Sequence, residues 1–252
     1  MAMRTTATVF ITILCVIVFN SSYAIPPNAH ASGSEWKCNS NYKQKGQQCE
    51  KLTSAELKSI SEKFDTAISF DKQRKFKEAF KIYLPLAESG NVGAQFNVAG
   101  MYGRGDGVSI NRERAFSWYE KAALQGHDMS QYYLGMLYFQ GEGTSRDVKK
   151  GLYWTKQSAK QGIKLAQYHL GILYGAGTRV EKDHNKAIVW HRKAAEQGVV
   201  ESQYFTAFYY CIGFEEAPKS LKTCARWAKE AQKNGSKRAS KLWAEYELWK
   251  FD

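Results

Sequence analysis

The chain has 252 residues and a formal net charge of +12, and its basic residues are spread along the sequence without one dense run. A diffuse excess of this kind is typical of a solvated surface, although its summed field also favours anionic partners. The sequence contains no Gly-x-Ser-x-Gly elbow, no His-Glu-x-x-His and no phosphate loop ending in Gly-Lys-Ser/Thr. These absences exclude the common hydrolase, metalloprotease and nucleotide-binding motifs.

The first residues are typical of a secretory signal peptide. A short basic start precedes an apolar run over 7–19, which is shorter than the ~20 residues of a membrane-spanning helix. Small residues mark two cleavage points, after Ala24 and after Ala31, so that the signal peptide is 1–24 or 1–31. We expect a periplasmic or secreted protein with no transmembrane anchor after cleavage and no nucleic acid partner; an uncleaved anchor is the alternative.

The cysteines predict disulfide bonds rather than a lipid anchor or a metal site. Cys15 follows Leu14 inside the apolar run, without the small residue that precedes a lipidated cysteine. Signal cleavage leaves an even number of cysteines in an oxidising compartment, which favours disulfides. Three pairings exist, and the simplest joins neighbours in sequence, each bridge stabilising by ~3 kcal/mol. The sequence contains no Cys-x-x-Cys motif and no histidine at ligand spacing from these cysteines, so a metal site is not expected. The four remaining cysteines are Cys38, Cys49, Cys211 and Cys224.

Between the signal peptide and the first repeat, the sequence divides into two parts. Residues 32–51 form a segment with two cysteines, which is either a stapled loop that caps the fold or a separate contact point. Residues 52–78 predict N-terminal capping helices, because Thr53-Ser54-Ala55-Glu56 is a capping box that opens a helix to about Phe70. A second helix from about 75 to 89 contains Pro85, which removes a backbone donor and should bend it.

Residues 79–240 contain four copies of one phrase, spaced 36 residues apart. Self-similarity with a period between 20 and 50 residues is the mark of a solenoid, in which each unit buries its apolar face against its neighbours. The repeat therefore predicts a scaffold with an extended surface rather than a pocket enzyme. The matching positions are Ala79, Ala115, Gly151 and Ala187; Gly90, Gly126, Gly162 and Gly198; Gln95, Gln131, Gln167 and Gln203; and Tyr102, Tyr138, Tyr174 and Tyr210.

Each copy predicts a pair of helices. Apolar residues four apart over 94–102 define the first helix, and a cluster of glycines ends it because glycine accepts the left-handed conformation. Asn111, Asp147 and Asp183 are the predicted N-caps of the second helices. One tryptophan recurs in every second helix and is expected in the core between units. The tryptophans are Trp118, Trp154, Trp190 and Trp227.

The C-terminal end departs from the repeat. The fourth turn lacks the second glycine and the acidic cap, and Cys211 and Cys224 flank it, so we expect a disulfide to replace the missing turn chemistry. Residues 241–252 predict a C-terminal capping helix. Its stripe of Leu242, Tyr246 and Trp249 is expected to cover the last repeat rather than to contact a partner.

The second copy carries a specific family resemblance. Tyr132-x-Leu134-Gly135-x-Leu137-Tyr138-x-x-Gly141-x-Gly143, then Asp147-x-x-Lys150, Trp154 and Gln161-Gly162, resembles the Sel1-like repeat over roughly 76–240. The resemblance implies an all-α, right-handed superhelical solenoid of antiparallel helix pairs, similar to tetratricopeptide arrays. It also implies an adaptor for other proteins, and many members of this family are exported bacterial proteins.

Positions that vary between copies on the first helix predict a partner-binding surface, because packing does not fix them. They recur at i, i+3 and i+7, which places them on one side of the helix, the first-helix stripe. In similar arrays the first helices line the concave face. We expect this stripe to bind a peptide or a protein helix, although local packing of the aromatic side chains is an equal alternative. The stripe comprises Asn97, Tyr133, His169 and Phe205; Gly100, Met136, Ile172 and Phe208; and Arg104, Gln140 and Ala176, with Arg104 and Gln140 as a polar rim.

Catalysis has little support in the sequence. Some exported relatives of the repeat family are linked to penicillin binding or weak lactam hydrolysis, which calls for a Ser-x-x-Lys motif. The two matches, at 34–37 and 69–72, lack the companion Ser-Asp-Asn and Lys-Thr-Gly. His169 has no carboxylate or nucleophile placed beside it by sequence and is interpreted as an ordinary histidine.

The sequence therefore predicts an exported, non-enzymatic scaffold of about five helix pairs, with no cofactor and no metal. Its partner is another protein or a peptide. The competing hypothesis is a protein that binds a cell-envelope polymer, in which the positive charge contacts peptidoglycan, lipopolysaccharide or anionic lipid. Salt separates the two, because many weak ionic contacts are screened while aromatic burial is not.

Overall fold

The structure, a computed structural model, describes residues 29–32, 35–38, 42–45 and 48–251, with side chains from residue 50 onward. The chain divides into two compact units, Met1–Thr53 and Ser54–Asp252. The signal peptide predicted over 1–24 or 1–31 lies outside the described residues apart from residues 29–31, and so do the side chains of Cys38 and Cys49.

The described part of the first unit consists of two antiparallel β-hairpins, which the sequence analysis does not predict. Strand β1 (Ala29–Ser32) pairs with β2 (Glu35–Cys38), and β3 (Tyr42–Lys45) pairs with β4 (Gln48–Lys51). Each strand has only four residues and occurs once, so it lacks the 36-residue periodicity that identifies the helices in the sequence.

The second unit is a solenoid in which each helix packs against the next, as the sequence predicts for an all-α repeat fold. Five helix pairs are followed by a single helix and a final 3-10 turn, Leu248–Phe251. The described helices are α1 (Ser54–Lys72), α2 (Phe76–Glu88), α3 (Val92–Arg104), α4 (Arg112–Leu124), α5 (Asp128–Gln140), α6 (Val148–Lys160), α7 (Lys164–Ala176), α8 (His184–Glu196), α9 (Val200–Ile212), α10 (Leu221–Lys233) and α11 (Lys237–Glu245).

The second helices begin at the predicted caps. The side chains of Asn111, Asp147 and Asp183 accept hydrogen bonds from backbone N–H groups three residues later, at 2.7, 2.9 and 2.9 Å. Ser220 does the same for α10, accepting from the N–H of Thr223 at 3.2 Å. The fourth copy has therefore lost the acidic side chain but kept a cap, because a hydroxyl oxygen satisfies the same exposed N–H group.

The first helices end at glycines whose conformation and position both exclude a side chain. Gly105, Gly141 and Gly177 adopt the left-handed conformation at the C-caps of α3, α5 and α7. Two residues further on, a Cβ at Gly143 would lie 2.1 Å from the carbonyl oxygen of Arg112. The turn of one repeat thus packs directly against the backbone that begins the second helix of the preceding repeat.

The recurring glutamines join three consecutive helices. Each glutamine donates a hydrogen bond from Nε2 to a carbonyl near the end of the preceding second helix, and accepts one at Oε1 from a side chain at the end of the following second helix. Gln131, for example, donates to the carbonyl of Ala123 at 3.3 Å and accepts from Gln161 at 2.8 Å. All four are buried, so both bonds are needed to avoid an unpaired amide. This glutamine series is Gln95, Gln131, Gln167 and Gln203, with following partners Gln125, Gln161, Gln197 and Asn234.

The recurring tyrosines and tryptophans also pack between helices. Tyr102, Tyr138 and Tyr174 each lie under a basic side chain of the next helix, with the cation 5.3–5.5 Å from the ring centre. The cations belong to Arg114, Lys150 and Lys186. The four tryptophans are partly buried at the margin of the core, where each contacts a buried apolar cluster.

The fourth turn is closed by a bridge and a disulfide. Phe214 and Ala217 exchange backbone hydrogen bonds of 2.8 and 3.1 Å, which form an isolated antiparallel bridge. Cys211 at the end of α9 and Cys224 in α10 form a disulfide across this turn, with their Cα atoms 5.3 Å apart. The fourth turn keeps a glycine of positive φ at the end of its first helix, Gly213, but lacks the second turn glycine that the first two copies have as Gly107 and Gly143.

The predicted C-terminal stripe is wrong at Trp249. Helix α11 ends at Glu245, and Glu247 adopts a positive φ of 48°, so the chain turns before the 3-10 segment begins. This turn breaks the helical spacing: Leu248 is fully buried beside Leu242, whereas Trp249 is 53% exposed. Leu248 covers the last repeat in its place.

Candidate protein-binding surface

The first-helix stripe lies partly open to solvent. Tyr133 is 37% exposed, and Asn97, His169 and Phe205 are half-buried. Gly100 is buried, and Met136, Ile172 and Phe208 are half-buried; Arg104, Gln140 and Ala176 are exposed. The stripe therefore offers aromatic area at its centre and exposed polar groups at the ends of the helices.

Tyr133 is stacked on the preceding repeat. Its ring lies 5.2 Å from that of Tyr119 with an interplanar angle of 19°, and 5.9 Å from that of Phe96. Burial raises the pKa of Tyr119, with the nearby Tyr133 hydroxyl acting in the same direction. Packing holds one face of the Tyr133 ring in place while the rest of the side chain remains accessible, so the packing and binding roles are compatible.

His169 is held by Tyr132 rather than by a catalytic partner. Its Nδ1 lies 2.8 Å from the hydroxyl of Tyr132, and the two rings are stacked 5.4 Å apart. Burial lowers the pKa of His169, and the positive charge of Arg179 lowers it further, against the opposing effect of a backbone hydrogen bond at Leu165. A neutral imidazole with a tyrosine partner serves as an aromatic surface group and a hydrogen-bonding group.

Phe205 lies between a buried histidine and an arginine. It stacks on His191 with ring centres 4.7 Å apart, and the guanidinium carbon of Arg238 lies 5.0 Å from its ring centre and 4.2 Å from that of Tyr204. The space beside Tyr204 and Arg238 is a shallow, open cavity of about 310 Å³ at the C-terminal end of the stripe. Glu201 also lines this cavity, and the exposed guanidinium of Arg238 remains accessible to an acidic group.

These side chains belong to a continuous path of ring contacts that crosses four repeats, the ring series. Successive ring centres along it are 4.7–6.0 Å apart, the range in which aromatic pairs attract one another. The ring series runs through Phe96, Tyr133, Tyr132, His169, Tyr168, His191, Phe205 and Tyr204. Half of its members recur every 36 residues in the sequence, a spacing that identifies them as one column: Phe96, Tyr132, Tyr168 and Tyr204.

The two residues of the polar rim, Arg104 and Gln140, have different surroundings. Arg104 pairs with Asp106, Nε to Oδ2, at 2.6 Å, and its guanidinium lies over Gly100. A Cβ at Gly100 would lie 2.8 Å from Arg104 Nη1, so the absent side chain leaves room for the arginine. Gln140 is exposed at the end of α5.

Charge is divided unequally between the two helices of each repeat. Helices α3, α5, α7 and α9 contain one ionised side chain each, of alternating sign: Arg104, Asp128, Lys164 and Glu201. Helices α4, α6, α8 and α10 contain fourteen basic and four acidic side chains. Seven of the eight members of the ring series therefore lie on helices whose charges sum to zero, whereas His191 lies on α8, one of the helices that carry the positive charge of the repeats.

Three further features of the described residues concern catalysis, metal binding and membrane insertion. Ser69 of the second Ser-x-x-Lys match is exposed near the end of α1, where its hydroxyl accepts a hydrogen bond from Gln73 Nε2 at 3.1 Å. Among the residues with described side chains, no group of three or more His, Cys, Asp or Glu is arranged to hold a metal ion. No helix within the described ranges is long and apolar enough to cross a membrane.

The fold and this surface define a helical-repeat scaffold. The family profile of the Sel1 repeat matches four consecutive segments, 92–127, 128–163, 164–199 and 200–236, which together cover more than half of the chain. The chain therefore belongs to the Sel1 repeat family, as its sequence predicts. Proteins of this family generally mediate protein–protein interactions and are typically non-enzymatic scaffolds.

Two solved structures share the fold at substantial identity. A protective antigen of uropathogenic Escherichia coli, c5321, is 31% identical with a TM-score of 0.66; the match covers 76% of this chain and 42% of the antigen. A Sel1 repeat protein from Oxalobacter formigenes is 27% identical with a TM-score of 0.66, over 75% of this chain and 78% of that protein. This chain thus spans less than half of the E. coli antigen. No protein with a curated description matches the chain.

Proposed function

We propose that this chain is an exported scaffold that binds a protein partner through the ring series. The observation that carries the proposal is the continuity of aromatic contacts from α3 to α9, in which every member except His191 lies on helices whose charges sum to zero. Aromatic side chains supply a large contact area at low entropic cost, since they have only two rotatable bonds. Their mutual packing fixes the rings before a partner arrives, which reduces the cost of binding.

The chemistry of the surface favours a peptide or helix with apolar side chains and at least one acidic group. Tyr133 offers an exposed ring and a hydroxyl, and Arg238 offers a guanidinium at the end of the series. Arginine stacked on aromatic rings retains N–H groups that match a carboxylate. The partner would then lie along several repeats, with its acidic group toward α11.

Export is part of the proposal. A disulfide between Cys211 and Cys224 persists in an oxidising compartment such as the periplasm or the cell exterior. Of the two cleavage points, the one after Ala24 keeps strand β1 (Ala29–Ser32) whole, whereas cleavage after Ala31 removes most of its residues. We therefore infer that the signal peptide is 1–24.

The proposal is tested by affinity capture and crosslinking of the mature protein from its own cell envelope. Tyr133→Ala is compared with Tyr153→Ala, a tyrosine that is 55% exposed on α6, outside the ring series. We expect one partner that Tyr133→Ala loses and Tyr153→Ala retains, in 0.5 M salt as in low salt. Retention by envelope polymer alone, abolished by salt and equal in both variants, would contradict the proposal and support the polymer hypothesis.

A further inference from the structure

The exposed face of α10 carries a stripe of like charges. Lys222, Arg226, Lys229 and Lys233 are spaced at i, i+4, i+7 and i+11, which places them on one side of the helix, and all four are exposed. Glu230 is the single acidic residue of α10. Like charges three or four residues apart disfavour a helix, so folding alone does not account for this arrangement.

Two exposed aromatic side chains lie on the segment that packs against α10. In the 3-10 turn Leu248–Phe251, Leu248 is fully buried within the apolar cluster that includes the inner face of α10. Its neighbours Trp249 and Phe251 are 53% and 41% exposed. Lys250 between them forms an exposed ion pair with Glu247. Leu248 thus anchors the segment, and two large aromatic side chains remain in contact with solvent.

We propose that Lys222, Arg226 and Lys233 of this stripe, together with Trp249 and Phe251 of the 3-10 segment in contact with α10, bind the surface of an anionic phospholipid bilayer. Basic side chains at such a surface are attracted by the headgroup charge, each worth about fivefold in affinity. Tryptophan prefers the boundary between headgroups and acyl chains, where its ring is apolar and its N–H is satisfied. None of these residues belongs to the ring series.

The aromatic pair distinguishes a bilayer from other anionic partners. An acidic polysaccharide would neutralise the stripe on α10 without giving Trp249 an apolar environment. The stripe is built mainly from lysine, which acts as a point charge, and lacks the paired arginines that recognise single phosphate or carboxylate groups by two hydrogen bonds. Both features favour a fluid surface of many headgroups.

The charge component is tested by co-sedimentation of the full chain, after signal cleavage, with vesicles. Phosphatidylcholine vesicles with and without phosphatidylglycerol are compared, and the variant Lys222→Gln, Arg226→Gln, Lys233→Gln is compared with Lys63→Gln, Lys72→Gln, Lys77→Gln. The control removes the same charge from exposed lysines of α1 and α2. We expect binding only with phosphatidylglycerol, about a hundredfold weaker in the α10 variant and changed less than about threefold in the control. Equal losses in both variants, or no binding by the unmodified protein, would overturn the proposal.

The aromatic component is tested by fluorescence with brominated lipids, which quench tryptophans that enter the bilayer. We expect quenching of the unmodified protein to disappear in Trp249→Ala, which is exposed and whose loss leaves the buried Leu248 in place. Unchanged quenching in Trp249→Ala, or binding to a soluble acidic polymer without any quenching on vesicles, would overturn the proposal. Capture of a partner by the ring series is unaffected by either variant, so this inference and the proposed function fail independently.

Discussion

The side-chain amides of Gln131 and Gln161, 30 residues apart, are joined by a hydrogen bond of 2.8 Å from Nε2 of Gln161 to Oε1 of Gln131. Gln131 also donates to the carbonyl of Ala123, so one buried amide connects α4, α5 and α6. The same arrangement in every repeat shows that the glutamine series has a structural role in joining neighbouring units.

Replacing Gln131 should therefore destabilise the solenoid. Gln131→Ala removes two hydrogen bonds and leaves buried partners unpaired, and we expect a loss of ~2 kcal/mol in the free energy of unfolding. Urea denaturation measures it, with Gln140→Ala as the control, because Gln140 is exposed at the end of the same helix. Equal stability of the two variants would show that the series contributes nothing to folding.

Two glycines of the first helices should respond oppositely to alanine. A Cβ at Gly171 would lie 2.7 Å from the ring atoms of His191, whereas a Cβ at Gly103 would meet only the Cβ of Ala115, at 3.9 Å. We expect Gly171→Ala to cost ~1–3 kcal/mol through overpacking, and Gly103→Ala to be neutral or to gain up to ~1 kcal/mol through helix propensity. Thermal unfolding of both variants measures this difference, and a stable Gly171→Ala would contradict the packing.

His191 should make the fold sensitive to acid. Burial lowers the pKa of His191 to about 3 from an ordinary value of 6.5. The unfolded chain therefore binds a proton below about pH 6.5 that the folded chain does not accept until about pH 3. Stability is lost as the pH falls through this window, by ~2 kcal/mol at pH 5.

The measurement is the free energy of unfolding at pH 7.5 and pH 5, for the unmodified protein and for His191→Gln. Glutamine does not titrate, so the loss between the two pH values should shrink by ~2 kcal/mol even if the variant is less stable at both. If the free energy of unfolding falls by the same amount between pH 7.5 and pH 5 in both proteins, groups other than His191 cause the acid sensitivity.

The disulfide of the fourth turn should stabilise the C-terminal end. The 13-residue separation of Cys211 and Cys224 predicts a contribution of ~3 kcal/mol from the restricted unfolded chain. Cys211→Ser, Cys224→Ser should show this loss in urea denaturation. Dithiothreitol should lower the stability of the unmodified protein by a similar amount. In the double variant it can act only through Cys38 and Cys49, so an equal loss there would contradict the role of the Cys211–Cys224 bridge.

The repeat made most of the fold predictable. Asn111, Asp147 and Asp183 are caps as expected, because capping depends on a side chain and the N–H group three residues away. The family and the all-α solenoid follow from the same local and periodic signals. The hairpins of residues 29–51 were not predicted, because four-residue strands in a single copy offer no periodic signal.

The candidate surface was predictable only in part. The stripe containing Tyr133, His169 and Phe205 was found because its residues differ between copies. Phe96 and Tyr132 are not predicted as surface residues, because an aromatic residue recurs at that position and a recurring residue indicates core packing. Trp249 was misplaced because one positive φ at Glu247 shifts the register, and a side-chain pattern alone does not reveal it.

The most direct test of the central claim is photocrosslinking from within the ring series. A photoreactive phenylalanine analogue is placed at Tyr133 in one variant and at Tyr153 in another, and both are irradiated in the cells that produce the protein. Both positions are exposed tyrosines, so they differ in surface rather than in accessibility. The account predicts one discrete protein adduct from position 133 and none of that size from position 153. The same adduct from both positions, or none from position 133, would contradict binding through the ring series.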